Sequence, residues 1–276
     1  MEHSTQKAAG TFRILGIGDS FAFGVVPYTN NWLTLLKDEL NRNGKHVELI
    51  NMGIPGTAPA DYLSLFIHEG LELKPDMVLL SFFMGNDFDE RSRSFLSYSY
   101  AATAIKFVID FNTKFEGRIW HGNGKYHDNA NSVTDAEYLK LESAVSRIFL
   151  KSNKRFERDF IATWSHVLEI NQICARLGIR FLVVVIPDEL QVNKQLQQSV
   201  IDASRLPPES FDFGLPNEML IAKFRESGID FIDFRDDLAS ISRSMRLYKP
   251  NDTHWNIAGN RTASEIIAKH MAATWQ

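Results

Sequence analysis

Apolar residues along this chain fall into short dense runs, and amphipathic stretches separate them. "FRILGIG", from Phe12 to Gly18, reads as a buried strand. The following "NNWLTLLKDELNRNG" has apolar positions at helical spacing, with Asn30 as its cap and Gly44 as its stop. "HVELINMG" predicts a second strand, "PADYLSLFIHEGLELKP" a second helix and "MVLLSFFMG" a third strand. A long helical stretch over 156–177 leads to a fourth strand, "RFLVVVIP"; "DFIDF" predicts a fifth, and "NIAGNRTASEIIAKHMAATW" closes the chain as a helix. Strands alternating with helices imply an α/β fold with a mostly parallel sheet covered on both faces.

Two stretches break the alternation. Residues 88–156 are far longer than an ordinary connection, and predict an inserted subdomain or lid within one domain spanning 1–276. This segment pairs an aromatic run, "SFLSYSYAATAIKFVIDF", with a polar tip, "HGNGKYHDNAN". Entering directly after the third strand, it offers Phe95, Tyr98, Tyr100 and Phe107 as stacking or apolar faces at the rim of a site. His121, His127 and Asp128 invite a metal reading, but their Gly- and Asn-rich surroundings favour a solvated loop. Residues 188–216 predict a second loop over the same end of the sheet.

Composition narrows the classes. A chain of 276 residues, 44% hydrophobic and 23% charged, has ample material for one large core. Its 30 basic and 34 acidic residues give a net charge of -4 with no long basic run, which argues against a nucleic-acid partner. The single cysteine, Cys174, excludes an internal disulfide and a thiolate cluster, and reads as a buried structural thiol. No stretch has the apolar length of a signal peptide or a membrane span, so the chain as given reads as soluble.

In open parallel sheets, ligands bind beyond the carboxyl ends of the strands. Gly18, Asp19 and Ser20 follow the first strand; Asn51, Gly53, Pro55 and Gly56 the second; Gly85, Asn86 and Asp87 the third. Asp252 and His254 stand in "KPNDTHWNIAGN", just before the last helix. A phosphate-binding glycine loop would need a third glycine where Phe21 stands, or a Gly-Lys-Ser/Thr ending, and has neither. A serine nucleophile needs a base, itself oriented by a carboxylate, and His254 with Asp252 can provide both. Oxyanion donors would be the amide of Ser20, the amide of a close-packed glycine such as Gly56, and the side chain of Asn86. Taken singly, Ser20 reads as a turn cap, Asn86 and Asp87 as turn residues, and His254 as a helix-terminal histidine. Taken together they favour a serine-hydrolase site, with Trp32 and Trp255 as core or site-wall residues.

This set resembles the SGNH hydrolases, also called GDSL-type esterases and lipases. "GDSF" with Ser20 is similar to the nucleophile block, "NMGIPG" with Gly56 to the glycine block, "MGND" with Asn86 to the Gly-x-Asn-Asp block, and "NDTHWN" with Asp252 and His254 to the Asp-x-x-His block. Asp252 stands one residue nearer its histidine than the common family spacing. The resemblance implies a flavodoxin-like sheet of five parallel strands, with neither metal nor organic cofactor. It also implies a two-step ester chemistry: Ser20 is acylated, His254 acts as base and then acid, and Asp252 orients its ring. The expected substrate is a small-molecule or carbohydrate O-acyl ester, such as an acetylated sugar. Two alternatives stay open: an acyltransferase using the same residues, and a carbohydrate-binding module without turnover.

Overall fold

The computed structural model describes residues 6–88 and 126–274. Five parallel strands, β1 (Phe12–Gly18), β2 (Val47–Gly53), β3 (Met77–Phe83), β4 (Arg180–Ile186) and β5 (Asp230–Asp233), form one sheet in the order β2-β1-β3-β4-β5. That is the flavodoxin-like order, with its switch point between β1 and β3. The helices are α1 (Ser20–Phe23), α2 (Trp32–Arg42), α3 (Pro59–Leu65), α4 (Asp135–Val145), α5 (Lys154–Leu177), α6 (Glu189–Val192), α7 (Lys194–Ser204), α8 (Leu215–Glu226), α9 (Arg235–Ile241) and α10 (Ile257–Thr274).

Alternate side chains of each strand feed two separate cores, as the two-residue period of a strand requires. Ile14, Leu79, Val184 and Ile232 pack with Trp32, Leu36 and Leu40 of α2 and Ile267 and Met271 of α10. Leu15, Leu80, Val183 and Val185 face the other way, onto Tyr62 of α3, Phe160, Val167 and Ile170 of α5, and Leu220 and Phe224 of α8. Each such residue contributes about 1.5–3 kcal/mol on full burial, against at most about 1 kcal/mol for an exposed ion pair like Arg42–Glu39. The two sheet faces therefore hold the fold. Cys174 is buried in the α5 face, and desolvation pushes its thiol up to about 12.

Two local expectations change. Asn31, not Asn30, caps α2, its Oδ1 accepting from the Leu33 amide at 2.8 Å. Asn30 instead ends a 3-10 turn over Tyr28–Asn30, while Asn31 is freed by its extended backbone to cap the helix and to bond the Ala22 and Phe23 carbonyls. The second predicted helix is a regular helix only to Leu65, and continues as a π turn over Phe66–Gly70 and a 3-10 turn over Leu71–Leu73.

Residues 188–216 fold mostly into helices rather than a plain loop. α6 and α7 pack beside α4 around a small third cluster of Phe149, Leu190, Val200 and Phe211. Within this layer Glu142 and Asp188 are both fully buried, and Oδ2 of Asp188 lies against Gly85 at the end of β3. Neither oxygen of Glu142 nor Asp188 Oδ2 meets an N–H or hydroxyl donor among the described residues. Asp188 Oδ1 accepts from the Leu190 amide at 2.9 Å, which favours the ionised form there. Desolvation raises both carboxyls, and the charge of Asp188 adds to the rise at Glu142, so Glu142 keeps a proton far above the ordinary carboxylate range. The aromatic positions Phe95, Tyr98, Tyr100 and Phe107, and His121, lie outside the described residues.

A proton kept by the folded state and released by the unfolded one makes stability fall as pH rises above the unfolded value. Glu142→Gln removes this titration and keeps a donor toward Asp188. The variant should match the wild type near pH 4.5 and gain on it with rising pH, by up to about 1.4 kcal/mol per unit. Urea denaturation at pH 5 and pH 8 reads the difference; a gap that does not widen would mean that Glu142 is ionised in the fold.

Candidate active site

β1 ends at Gly18, and Asp19 turns the chain directly into α1. The Asp19 carboxylate caps this short helix, Oδ1 accepting from the Phe21 amide at 2.9 Å, so Ser20 occupies the first helical position. α1 is held from three sides. Trp32 Nε1 donates to the Phe21 carbonyl at 2.8 Å, and Asn51 Nδ2 to the Ala22 carbonyl at 2.7 Å. The end of β2 lies so close that a Cβ on Gly53 would come within 2.2 Å of the Phe23 amide nitrogen. The close-packed glycine of the second block is therefore Gly53. Gly56, where close packing was expected, is an exposed turn residue with φ of 76° and open space around its Cα.

Asn86 follows β3 and donates from Nδ2 to Asp19 Oδ2 at 2.9 Å, while its Oδ1 is buried without a partner among the described residues. An amide nitrogen carries two hydrogens, so one remains after the Asp19 bond. Asp87 is more than a turn residue: buried completely, it accepts from the Phe83 amide at 2.8 Å and the Tyr62 hydroxyl at 2.7 Å, pinning the turn that presents Asn86. Desolvation raises the carboxyls of both Asp19 and Asp87, and the hydrogen bonds each accepts oppose it.

The fourth block is a tight loop. Tyr248 and Trp255 face each other across an antiparallel bridge, the Lys249 amide donates to the His254 carbonyl, and Asn251 takes the left-handed conformation with φ of 50°. The reversal at Asn251 lets a carboxylate only two positions ahead of the histidine reach its ring. Asp252 Oδ1 accepts from the His254 amide at 3.1 Å and lies 2.6 Å from His254 Nδ1. His254 Nε2 lies 2.7 Å from Ser20 Oγ, across 234 positions of sequence. A carboxylate can only accept, so Nδ1 donates to Asp252, and Nε2 of the neutral ring then accepts from the serine hydroxyl. Burial would raise the Asp252 carboxyl, but the hydrogen bond and charge of His254, with a further bond from Ser132, outweigh it and hold the carboxyl well below 3.8. Phe21 and Trp255 are site-wall residues, with Phe21 5.3 Å from the imidazole and 5.1 Å from the indole, edge-on.

Ser20, His254 and Asp252 thus meet in direct contact, and Asn86 joins them through Asp19; no side-chain contact ties Gly56 to the group. Asp19 and Asp87 were legible only as part of their motifs, and Ser132 carried no signal at all. Among the described residues no cluster of His, Cys, Asp or Glu could hold a metal ion, and no helix is long and apolar enough to cross a membrane. Asp128 instead bonds the Tyr126 hydroxyl and the Ile257 amide at the start of α10.

The flavodoxin-like sheet thus carries a serine–histidine–aspartate contact at its carboxyl edge. Residues 148–276 match the family model described as the SGNH hydrolase-like domain of the acetyltransferase AlgX. The segment from 148 to 276 is thus similar to an SGNH hydrolase-like domain. Three solved structures share the fold at low identity. An acetyl xylan esterase, AlAXEase, is 18% identical with a TM-score of 0.52, over 95% of this chain and 99% of that one. TesA is 12% identical with a TM-score of 0.51, over 94% and 97%. A two-domain esterase (CEX) active on acetylated mannans is 12% identical with a TM-score of 0.53, over 96% of this chain and 50% of that one. No curated protein matches in sequence.

Because the folded-state value of Asp252 is lowered, its contribution to stability is present above the unfolded value near 3.9 and lost as pH falls through the lowered one. Asp252→Asn should therefore be less stable than the wild type by about 1–2 kcal/mol at pH 6, with the difference shrinking below pH 3. Chemical denaturation across that range checks both the sign and the window.

Proposed function

We propose that the chain is a serine-dependent enzyme acting on O-acyl esters, with Ser20 as nucleophile, His254 as general base and acid, and Asp252 as the residue that orients and stabilises the imidazole. The observation that carries this reading is the pair of contacts at 2.7 and 2.6 Å that joins the serine hydroxyl through the imidazole to a carboxylate. Ser20 Oγ attacks the ester carbonyl as its proton passes to His254 Nε2. The oxyanion so formed is met by the Ser20 amide, the Gly56 amide and the free hydrogen of Asn86 Nδ2. Collapse expels the alcohol, which leaves with the proton from His254, and the acyl group stays on Ser20. A second hydroxyl compound, deprotonated by His254, then takes the acyl group and frees the serine.

If water is that compound, the chain is an esterase or deacylase, and this is our leading reading. An acetylated carbohydrate suits it, because two proteins with this fold bear names that describe action on acetylated xylan and mannans. A carbohydrate hydroxyl as acceptor would make the chain an O-acyltransferase, a reading favoured by the acetyltransferase description of the family matched over 148–276. Both share the acyl-enzyme, which separates them from a binding module without turnover.

Ser20→Ala and His254→Ala should each abolish turnover of a small activated acetate ester while leaving the circular dichroism spectrum intact. Turnover near the wild-type level in Ser20→Ala would refute the assignment. Asn86→Ala should lower kcat roughly a hundredfold or more if its amide meets the oxyanion; a change confined to KM would make it a binding residue.

Hydrolysis and transfer are told apart by product partition. Wild-type enzyme given an acetate ester and an excess of oligosaccharide should release mainly free acetate if it is an esterase. Mass spectrometry finding mainly acetylated oligosaccharide would establish the transferase reading instead.

A further inference from the structure

Resting on the reading above, we propose that Ser132, from the segment that returns to the fold between residues 126 and 135, is a positioning residue for the Asp252–His254 pair. Asp252 uses Oδ1 entirely on its own loop, on the amide and ring of His254. Its other oxygen, Oδ2, accepts from Ser132 Oγ at 2.5 Å. That donor comes from 120 positions away; among the described residues Lys249 Nζ also lies near Oδ2, but at 3.6 Å, beyond hydrogen-bonding distance.

Ser132 does not approach by chance, because the segment around it is laced to the loop at several points. The Ser132 amide donates to the Pro250 carbonyl at 3.2 Å. Asn251 Nδ2 reaches the Val133 carbonyl at 3.0 Å and Asp135 Oδ1 at 2.6 Å, which helps hold the left-handed backbone from which Asp252 projects. Asp128 accepts from the Ile257 amide at 2.9 Å, and Tyr126 lies under Lys249, its ring centroid 5.3 Å from Nζ. The strap thus grips the loop on both sides of His254.

A carboxylate fixed through one oxygen can swing about that contact, and a second bond on the opposite oxygen removes this freedom. The short spacing between Asp252 and His254 makes the need acute, since the same oxygen serves both backbone and ring. Ser132 supplies the missing restraint.

The test is a double-mutant cycle on the full chain with a small acetate ester. Ser132→Ala should lower kcat roughly tenfold with KM unchanged, Ser132→Thr should restore it, and the same Ser132→Ala change in an Asp252→Ala background should cost almost nothing. In parallel, the downfield proton resonance of the His254 Nδ1–H should move in Ser132→Ala and return in Ser132→Thr. An equal loss in both backgrounds, or an unmoved resonance, would overturn the positioning role and leave Ser132 a purely structural contact. Retained turnover in Ser20→Ala would instead take down the serine mechanism itself, and this role with it, by a different result.

Discussion

Asp19 is the group around which this sheet edge is organised. A buried carboxylate is tolerated only when hydrogen bonds replace the water it has lost. Asp19 finds them at the Phe21 amide and at Asn86 Nδ2, so its own solvation requirement joins the loop after β1 to the loop after β3. Ser20 follows immediately, on a helix of a single turn that could not persist alone. Trp32, Asn51 and the bare Cα of Gly53 hold that turn from the outside. The position of the serine hydroxyl is thus a property of several loops together.

The opposite side of the site rests on a strained backbone. Asn251 occupies the left-handed region that asparagine tolerates better than most residues, and two side-chain bonds to the strap help offset its cost. The gain is orientation, since Asp252 can address the backbone and the ring of His254 with one oxygen. On the proposed reading, carboxylate, imidazole and serine hydroxyl are then set in line before any substrate arrives, which is where preorganised electrostatics does most for catalysis.

Behind the loops, the layer of α4, α6 and α7 closes on two buried carboxyls, Glu142 and Asp188, both raised by desolvation. Two charges could not both be sheltered there, and one shared proton is the cheaper solution. Asp188 lies against Gly85, one residue before Asn86, so this layer backs the turn that presents the amide.

Periodicity alone located all five strands within a residue or two, because a strand buried on both faces must be apolar nearly throughout. The four blocks were legible too, as chemistry-bearing residues placed just after strands or just before the last helix. What sequence could not decide were choices made between distant segments. Asn31 outcompetes Asn30 as a cap because Asn30 is engaged in the preceding turn, and Gly53 is the crowded glycine because β2 ends against α1. Ser132 looks like any loop serine until the fold sets it beside Asp252, and Glu142 like any helical glutamate until the fold buries it with Asp188. Local pattern follows from each segment's need to bury one face. Which oxygen meets which donor is set by the sheet order β2-β1-β3-β4-β5 and the loops packed around its edge, and that order brings His254 within 2.7 Å of a serine that stands 234 positions before it.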